Sequence, residues 1–335
     1  MTAAEIKRKA LEMGYIACGI IPANAFDEYT QALDERGETF PASKEKYASF
    51  YAMAKQAEPA KSVIVCTQRY NKYSIPESLS RTIGKLYLFD ARVTYAPEYR
   101  GKMEFEAYLK AIGLGLVRSP VPARLAAAKA GIGTFGRNNF FYDGQHGSYV
   151  WIDTWVVDTE LEYDTVVGDM MLSACHDGCN ACIEACPTKA LSGKLSMDIS
   201  KCITRISTAM DGVPDEEMMA QMGEWIYGCD VCQDVCPANK DKFTETAAYP
   251  LLDVHEALVQ PESILAMDED TYRNVVNPRF WYAGEEALWF WKCSALRSMV
   301  NSGDAKYHGL IKESCNHEDT RIQAVAQWGC RTLGI

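Results

Sequence analysis

Two similar runs of cysteines are the residues of this sequence best suited to chemistry. The chain has 335 residues and 13 cysteines, and eight of these cysteines fall between residues 170 and 245. Each run ends in the pattern Cys-x-x-Cys-x-x-x-Cys-Pro, the first over residues 179–187 and the second over residues 229–237. Pairs of 4Fe–4S clusters are held by this pattern, with the last cysteine of each run ligating the cluster of the other run.

Crossed ligation assigns four thiolates to each of two 4Fe–4S clusters. The first cluster is predicted to bind Cys175, Cys179, Cys182 and Cys236, and the second Cys202, Cys229, Cys232 and Cys186. Cys175 and Cys202 depart from the usual spacing. Two four-cysteine zinc sites are the alternative, although zinc sites do not call for a proline after the last cysteine of both runs. The other cysteines are expected to be small buried hydrophobic residues: Cys18, Cys66, Cys293, Cys315 and Cys330.

The overall composition is that of a folded, acidic protein. Its 48% hydrophobic residues exclude wholesale disorder. The chain has 34 Lys and Arg against 45 Asp and Glu. Its net charge of −11 argues against nucleic-acid binding that depends on the overall charge of the chain. Charges interrupt the N-terminus at once, and no run of about 18 apolar residues occurs. We therefore expect no signal peptide, no membrane association and a cytoplasmic location, where thiols stay reduced.

Three stretches with different patterns must position the cysteines, and together they predict an α+β protein. Residues 1–168 read as an α/β domain, residues 169–248 as a ferredoxin-like domain with two 4Fe–4S clusters, and residues 249–335 as a helical domain. Short helices that stack to share a core are typical of repeat proteins, and the third stretch has this character.

Hydrophobic periodicity and helix-ending residues predict the elements of the outer two domains. Helices are predicted over residues 3–13, 82–113, 123–130, 287–299, 307–314 and 320–333, and strands over residues 15–20, 62–66 and 149–158. Strand 149–158 has the clearest β pattern of the chain.

Residues 131–136 match the glycine pattern G-x-G-x-x-G of dinucleotide-binding folds. That reading requires a strand before the motif and a helix after it. Here an Ala-rich helix is predicted before the motif, and residues 137–140 have no helical pattern. The motif is therefore predicted to be a glycine-rich loop that lets the backbone approach another group closely.

Several of these segments, taken together, resemble the epoxyqueuosine reductases. The resemblance rests on residues 130–138 and 146–148, on residues 227–237 of the second cysteine run, and on the C-terminal residues 293–304 and 319–324. It covers most of residues 115–335 and, more loosely, residues 1–70. The wider superfamily of these proteins includes the reductive dehalogenases.

The resemblance implies a base-off cobalamin between the N-terminal domain and one cluster. The N-terminal domain would then be of the cobalamin-binding type, and the C-terminal helices would be HEAT-like repeats. Electrons from the clusters would reach the corrinoid, which would reduce the substrate. In the family this substrate is epoxyqueuosine in tRNA. The implied corrinoid contacts are Gly131, Gly133, Phe135, Gly136, Arg137, Asn138, His146 and Ser148.

Two departures from the family affect the expected chemistry. The family has a proton-donating Asp about a dozen residues before the glycine loop, whereas residues 116–120 here carry no carboxylate, and a Gly-Arg-Asp-Tyr-His stretch is also missing. Reduction still needs a proton donor. The candidates are Arg118, Tyr95, Tyr99 and Tyr142.

The expected function is a cobalamin-dependent iron–sulfur reductase that uses a low-potential donor such as ferredoxin or flavodoxin. The missing Asp and the acidic residues of 253–270 favour a small-molecule substrate over tRNA. The alternative is a cobalamin-free, ferredoxin-like protein that transfers electrons to a partner or reactivates a separate corrinoid protein.

Overall fold

A four-stranded antiparallel sheet forms the N-terminal part of the computed structural model, which describes residues 2–24, 26–165, 175–193 and 195–335. The strands of this part are β1 (Ala17–Pro22), β2 (Ser62–Arg69), β3 (Leu116–Val117), β4 (Thr134–Phe135), β5 (Phe141–Tyr142) and β6 (Val150–Val157). Its helices are α1 (Ala3–Glu12), α2 (Asp27–Thr39), α3 (Lys85–Leu88), α4 (Pro97–Ala111) and α5 (Ala123–Lys129). The large sheet has the order β1-β2-β6-β3.

Helices cover both faces of this sheet, which explains why its central strand β2 is apolar from Val63 to Cys66. On one face, Val63 and Val65 of β2 pack against Ala126 of α5. On the other face, Ile64 packs with Phe105 of α4. Strands that are buried on both faces read as continuous hydrophobic runs, so the run in residues 62–66 correctly predicted a buried strand.

The helical pattern over residues 82–113 resolves into two helices rather than one. α3 ends at Leu88, turns follow, and α4 begins at Pro97. Proline favours the first turn of a helix because its missing N–H needs no partner there. A single helix over residues 82–113 was therefore the wrong prediction at its centre.

The glycine motif lies between a helix and a β-hairpin. α5 precedes it, and β4 pairs with β5 after it, with Phe135 opposite Phe141. A side chain at Gly133 would meet the Phe141 ring at 2.2 Å and the Tyr142 carbonyl at 2.4 Å. The helix predicted before the motif is confirmed, no helix follows it directly, and the close approach it permits is to the hairpin itself.

Each cysteine run forms a short helix that ends at a Cys-Pro step. The elements of this segment are α6 (Ala181–Ala185), β7 (Leu191–Gly193), β8 (Ser196–Met197), α7 (Ile203–Thr208), α8 (Glu216–Gln221) and α9 (Val231–Asp234). α6 precedes Cys186 and α9 precedes Cys236, and the two helices pack against each other. The repeated sequence pattern thus gives a repeated local structure.

The C-terminal part is helical, as predicted. Its helices are α10 (Leu252–Leu258), α11 (Pro261–Ala266), α12 (Glu269–Thr271), α13 (Leu288–Ser302), α14 (His308–Ser314) and α15 (Thr320–Leu333). Leu296, Ile311 and Val325 form a shared core between α13, α14 and α15. Among the described residues, no helix combines the length and the apolar character needed to cross a membrane.

One aromatic core joins residues from all three parts of the chain. Tyr227, next to the second cysteine run, stacks on Trp291 of α13 with ring centroids 5.1 Å apart. It also meets Tyr87 of α3 edge-on at 4.8 Å. The cysteine segment is therefore held between the N-terminal part and the C-terminal helices.

Candidate iron–sulfur site

Four thiols from both cysteine runs line one pocket. These thiols belong to Cys175, Cys179, Cys182 and Cys236. Cys236 comes from the second run but lies with three cysteines of the first run. This is the grouping that crossed ligation requires.

The remaining four thiols form a second group next to the first. Cys186, Cys202 and Cys232 pack in one apolar cluster with Leu191 and Met197. Burial, followed by neighbours that include the Cys202 and Cys186 thiols, raises the pKa of Cys229. Cys182 of the first group also belongs to this apolar cluster, so the two groups are adjacent.

The thiols surround a volume rather than converge on a point. In the described ranges, no three His, Cys, Asp or Glu side chains come close enough together to hold a single metal ion. Burial and the nearby Cys175, Cys236 and Cys179 thiols raise the pKa of Cys182 to about 11. Buried thiols spread around a shared pocket suit a polynuclear cluster, whose metal ions keep the ligands deprotonated.

Hydrogen-bond donors point at the sulfur atoms of both groups. The Arg137 backbone N–H donates to Cys175 Sγ at 3.3 Å, and the Tyr142 hydroxyl donates to Cys236 Sγ at 3.2 Å. In the second group, the Ala190 backbone N–H donates to Cys186 Sγ at 3.3 Å. Hydrogen bonds to the sulfurs are one of the factors that set the reduction potential of an iron–sulfur cluster.

Asn138 fixes the loop after the glycine motif to the second cysteine run. Its side-chain amide donates to the Tyr142 hydroxyl at 2.8 Å and to the Cys232 carbonyl at 3.0 Å. The Asn138 side-chain oxygen accepts from the Phe140 backbone N–H at 3.2 Å. Asn138 therefore orients Tyr142, and both N–H groups of its side-chain amide are engaged within the protein.

A buried polar network, which sequence analysis missed, joins the second cysteine run to α3. The Lys85 backbone N–H donates to Asp230 Oδ2 at 2.6 Å, and Lys85 Nζ lies 2.5 Å from Asp234. Asp230 also accepts from the Gln233 side chain at 2.8 Å. Asp230 is a carboxylate within Cys-x-x-Cys, which is the one sequence signal that could have indicated this network.

The four proton-donor candidates lie in different surroundings. Tyr142 alone among them lines the pocket of the first thiol group. The Tyr95 hydroxyl accepts from Arg279 at 3.0 Å within the aromatic core, and Tyr99 packs against the same core. Arg118 is exposed directly after β3. The structure does not bring these four side chains together.

The resemblance implies the loop glycines as corrinoid contacts. In the structure, the space beside Gly133 and Gly136 is occupied by other residues of the chain. Besides the contacts at Gly133, a side chain at Gly136 would meet the Tyr142 ring at 2.6 Å. Gly131, with φ of 73°, ends α5 in the left-handed conformation that favours glycine. Phe135 packs against the core between the sheet and α5.

The polar residues of the same set are also engaged within the protein. Ser148 donates to Gln233 Oε1 at 2.8 Å, and His146 Nδ1 shares a hydrogen bond of 2.8 Å with Asp143. Arg137 reaches Asn180 at 3.2 Å, although its Nε is buried without a partner among the described residues. As a set these residues do not fit a corrinoid site, so no step of the reaction is assigned to a corrinoid.

Comparison with known proteins identifies the family. A model described as a 4Fe-4S double cluster binding domain matches residues 175–239. An epoxyqueuosine reductase of Cellulophaga algicola is 31% identical over 265 residues, which cover 76% of this chain and 84% of the relative. The chain belongs to the epoxyqueuosine reductase family. It is an iron–sulfur oxidoreductase of that family.

Solved structures of epoxyqueuosine reductases share its fold. The Streptococcus thermophilus protein matches with a TM-score of 0.79 at 20% identity, over 98% of this chain and 90% of that protein. An epoxyqueuosine reductase bound to an epoxyqueuosine-modified tRNA-Tyr stem loop matches with a TM-score of 0.75 at 22% identity, over 99% of this chain and 90% of that one. At this identity the likeness concerns the fold alone.

Proposed function

We propose that this epoxyqueuosine reductase-like protein is a reductase in which two crossed sets of cysteines hold two 4Fe–4S clusters. The first set is Cys175, Cys179, Cys182 and Cys236, and the second is Cys202, Cys229, Cys232 and Cys186. The single observation that carries the proposal is the position of Cys236 among the cysteines of the first run. Bound 4Fe–4S clusters supply single electrons at potentials set by their surroundings.

The roles of the surrounding residues follow from their contacts. The Arg137 and Ala190 backbone N–H groups and the Tyr142 hydroxyl stabilise negative charge on three of the thiolates. The apolar shell around Leu191 and Met197 keeps water from the second set. Adjacent sets allow electrons to enter at one cluster and leave at the other, from a donor such as ferredoxin or flavodoxin.

Iron and acid-labile sulfide analysis of anaerobically purified protein tests the proposal. Cys182→Ser and Cys232→Ser should each lower iron and sulfide by about half, because each variant removes one ligand of a different cluster. Cys330→Ser, which changes a thiol outside both sets, is the matched control and should keep the wild-type content. Wild-type protein that contains zinc in place of iron and sulfide would overturn the assignment.

The substrate we propose is a small molecule. The absence of a carboxylate in residues 116–120 and the acidic residues 253–270 support it, since both differ from what a tRNA-reducing enzyme of this family needs. Epoxyqueuosine in tRNA is the second candidate, and the names of the relatives favour it. Arg118, Tyr95 and Tyr99 stay predictions for the proton donor.

Cobalamin dependence stays a prediction of the family resemblance. Titration of the holoprotein with cobalamin separates the two forms of the proposal: a shift of the corrin spectrum to the base-off form supports a cobalamin-dependent reductase. If the spectrum does not shift, the chain is a cobalamin-free protein that transfers electrons to a partner.

We also propose the domain limits 1–168, 169–248 and 249–335, with HEAT-like helical repeats in the third domain.

A further inference from the structure

Two arginines from different helices meet at one asparagine beside the glycine loop. Arg36 of α2 donates from Nη2 to the Asn139 side-chain oxygen at 2.9 Å, and Arg124 of α5 donates from Nη1 to the Asn139 carbonyl at 2.8 Å. Asn139 has a φ of 64°, a left-handed conformation that Asn adopts more readily than most residues. Two helices thus place their guanidinium donors at one backbone turn.

Neither arginine has a carboxylate partner in the part of the chain that the structure describes. Arg36 donates to the Leu195 carbonyl and to Asn139, and Arg124 donates to Asn139 and lies over the Phe140 ring at 5.0 Å. Glu28, an acid of the same helix as Arg36, pairs with Lys129 instead. Two positive charges therefore lie close together without a counter-ion, which is costly wherever water is scarce.

The Asn139 side chain contributes a buried donor that has no acceptor among the described residues. Asn139 is 8% exposed, and its Nδ2 atom has no hydrogen-bond partner among the described residues. Buried amide groups are nearly always hydrogen-bonded, so an orphaned one calls for an explanation. A ligand atom that accepts from Nδ2 would provide it.

Arg36 is partly buried, and Arg124 is exposed at the surface. Desolvation by the protein around its guanidinium lowers the pKa of Arg124. Burial also lowers the pKa of Arg36. Tyr29 of α2 lies within electrostatic reach of both, since Arg36 and Arg124 each oppose the rise that burial causes in the Tyr29 pKa.

We propose that Arg36, Arg124 and the Asn139 side-chain amide bind an oxyanion, a carboxylate or a phosphate, of the protein's ligand. Guanidinium groups offer paired N–H donors that match the oxygens of such groups, and the anion would supply both the missing counter-ion and the missing acceptor. The site adjoins Asn138 and Arg137, which contact the proposed cluster residues. The inference deepens the proposed function, on which it rests, by giving the ligand an anionic group.

Thermal unfolding of the iron-loaded protein in different sodium salts tests the site. Samples are compared at equal ionic strength in chloride, in inorganic phosphate and in benzoate as a simple carboxylate. A ligand that binds only the folded state raises the melting temperature, so the wild type should melt higher in phosphate, in benzoate or in both than in chloride. A response to one salt only assigns the site to that class of oxyanion.

Variants separate the site from general salt effects. Arg36→Gln and Arg124→Gln should each raise the anion concentration needed for a half-maximal shift at least ten-fold, whereas Arg8→Gln, which removes an exposed arginine paired with Glu12, should respond like the wild type. Asn139→Asp tolerates the same backbone and places a carboxylate between the arginines. This variant should melt higher in chloride and lose the anion response.

The outcomes also distinguish this inference from the proposed function. If phosphate and benzoate stabilise the wild type no more than chloride does, or if they stabilise both arginine variants equally well, the oxyanion site is wrong. Iron and sulfide are measured in the same samples. A protein with the anion response but without iron would overturn the cluster assignment and leave the oxyanion site intact.

Discussion

Tyr142 shows how the surroundings of one side chain limit its role. Its hydroxyl accepts from Asn138 and donates to Cys236 Sγ, so its proton is engaged with a thiolate rather than free for a substrate. Burial, followed by the hydrogen bond to Cys236, raises the pKa of Tyr142. A phenol that holds its proton more tightly is a weaker acid, and we therefore assign Tyr142 to tuning the cluster rather than to protonating a substrate.

Tyr142→Phe should lower the reduction potential of one cluster while both clusters remain bound. The lost hydrogen bond stabilises the more negative, reduced state, and a contribution of about 1 kcal/mol corresponds to a shift on the order of 50 mV for one electron. A redox titration followed by electron paramagnetic resonance measures the shift. Tyr163→Phe removes a hydroxyl that bonds the Lys61 carbonyl and should leave both potentials unchanged.

An unchanged potential in Tyr142→Phe would contradict the tuning role. Loss of iron from the variant would show instead that Tyr142 is needed for assembly of the cluster. Full retention of substrate reduction, combined with the potential shift, would separate tuning from proton donation.

Residues within the cysteine runs could be predicted from the sequence because a cluster ligand set is specified by local spacing. The partners of these residues could not. Arg36 is 103 positions from Asn139, and Arg124 is 15 positions from it. The three residues belong to no motif, and they meet only because α2, α5 and a left-handed turn pack together. The Lys85 and Asp230 pair joins residues 145 positions apart and escaped prediction for the same reason.

At the scale of elements, the packing of α13 against α15 depends on Gly329. A side chain at this position would lie 2.5 Å from Val300 Cγ2 and 3.1 Å from Ile311 Cγ2. Glycine is a poor helix former, so its presence inside α15 reflects close contact between the helices.

Gly329→Ala should destabilise the protein by about 1–3 kcal/mol although alanine favours helix, because overpacking a tight contact forces the neighbours apart. Chemical denaturation followed by circular dichroism gives the free energy of unfolding. Gly309→Ala in α14 is the matched control, since a side chain there meets no atom within 4 Å. Equal stability of the two variants would show that α13 and α15 can move apart at little cost.

Cys315 and Cys330 bring a pair of free thiols together at the end of the chain. Their Sγ atoms are 3.3 Å apart, between the end of α14 and α15, and both side chains are partly exposed. We expect hydrogen peroxide to join them: one thiolate attacks the peroxide and the O–O bond breaks, the second thiol displaces water from the resulting sulfenic acid, and a disulfide forms.

Tryptic peptide mapping checks this prediction. Trypsin cleaves after Lys312, Arg321 and Arg331 and so separates the two cysteines, which means that a disulfide appears as one linked pair of peptides. Cys18 and Cys66 are directly opposite each other on β1 and β2, but Cys66 is fully buried. This second pair should stay reduced under the same conditions. Equal oxidation of both pairs would show that solvent access does not decide the reaction.

The helices and strands of the structure agreed with the predicted ones wherever the hydrophobic pattern of the sequence was uniform. β2 and β6 were predicted because a central strand needs apolar side chains on both faces, and α15 because its apolar positions recur along one face. The segment of residues 82–113 could not be divided correctly, because the turns before Pro97 are stabilised by distant groups. Among them, Tyr249 donates a hydrogen bond to the Asp90 carbonyl at 2.6 Å.

At the scale of the whole molecule, the aromatic core couples the proposed cluster segment to both flanking parts. Tyr227 lies one residue before Gly228 and two before Cys229, and it contacts Tyr87 on one side and Trp291 on the other. The sequence predicted three separate stretches, but it gave no sign of this shared core. Packing across parts of a chain depends on surfaces that only the folded elements define.

The net charge of the molecule affects how strongly it attracts or repels a charged ligand. The chain carries a net charge of −11, and Asp253 and Glu262 are exposed near the start of the C-terminal helices. A protein that neutralises several phosphates of RNA loses affinity steeply as salt rises, with a slope of about −0.7 per phosphate for single strands. Such a surface repels phosphate instead.

We therefore expect a fluorescent tRNA-Tyr stem loop to bind weakly, with little change in affinity between low and moderate salt. Fluorescence anisotropy at several sodium chloride concentrations measures the affinity. The double variant Asp253→Lys with Glu262→Lys should gain salt-sensitive binding if surface charge is what excludes RNA, since two negative charges are replaced by two positive charges. Tight binding by the wild type with a steep salt slope would instead favour epoxyqueuosine in tRNA as the substrate, with local basic groups such as Arg36 and Arg124 outweighing the net charge of the molecule.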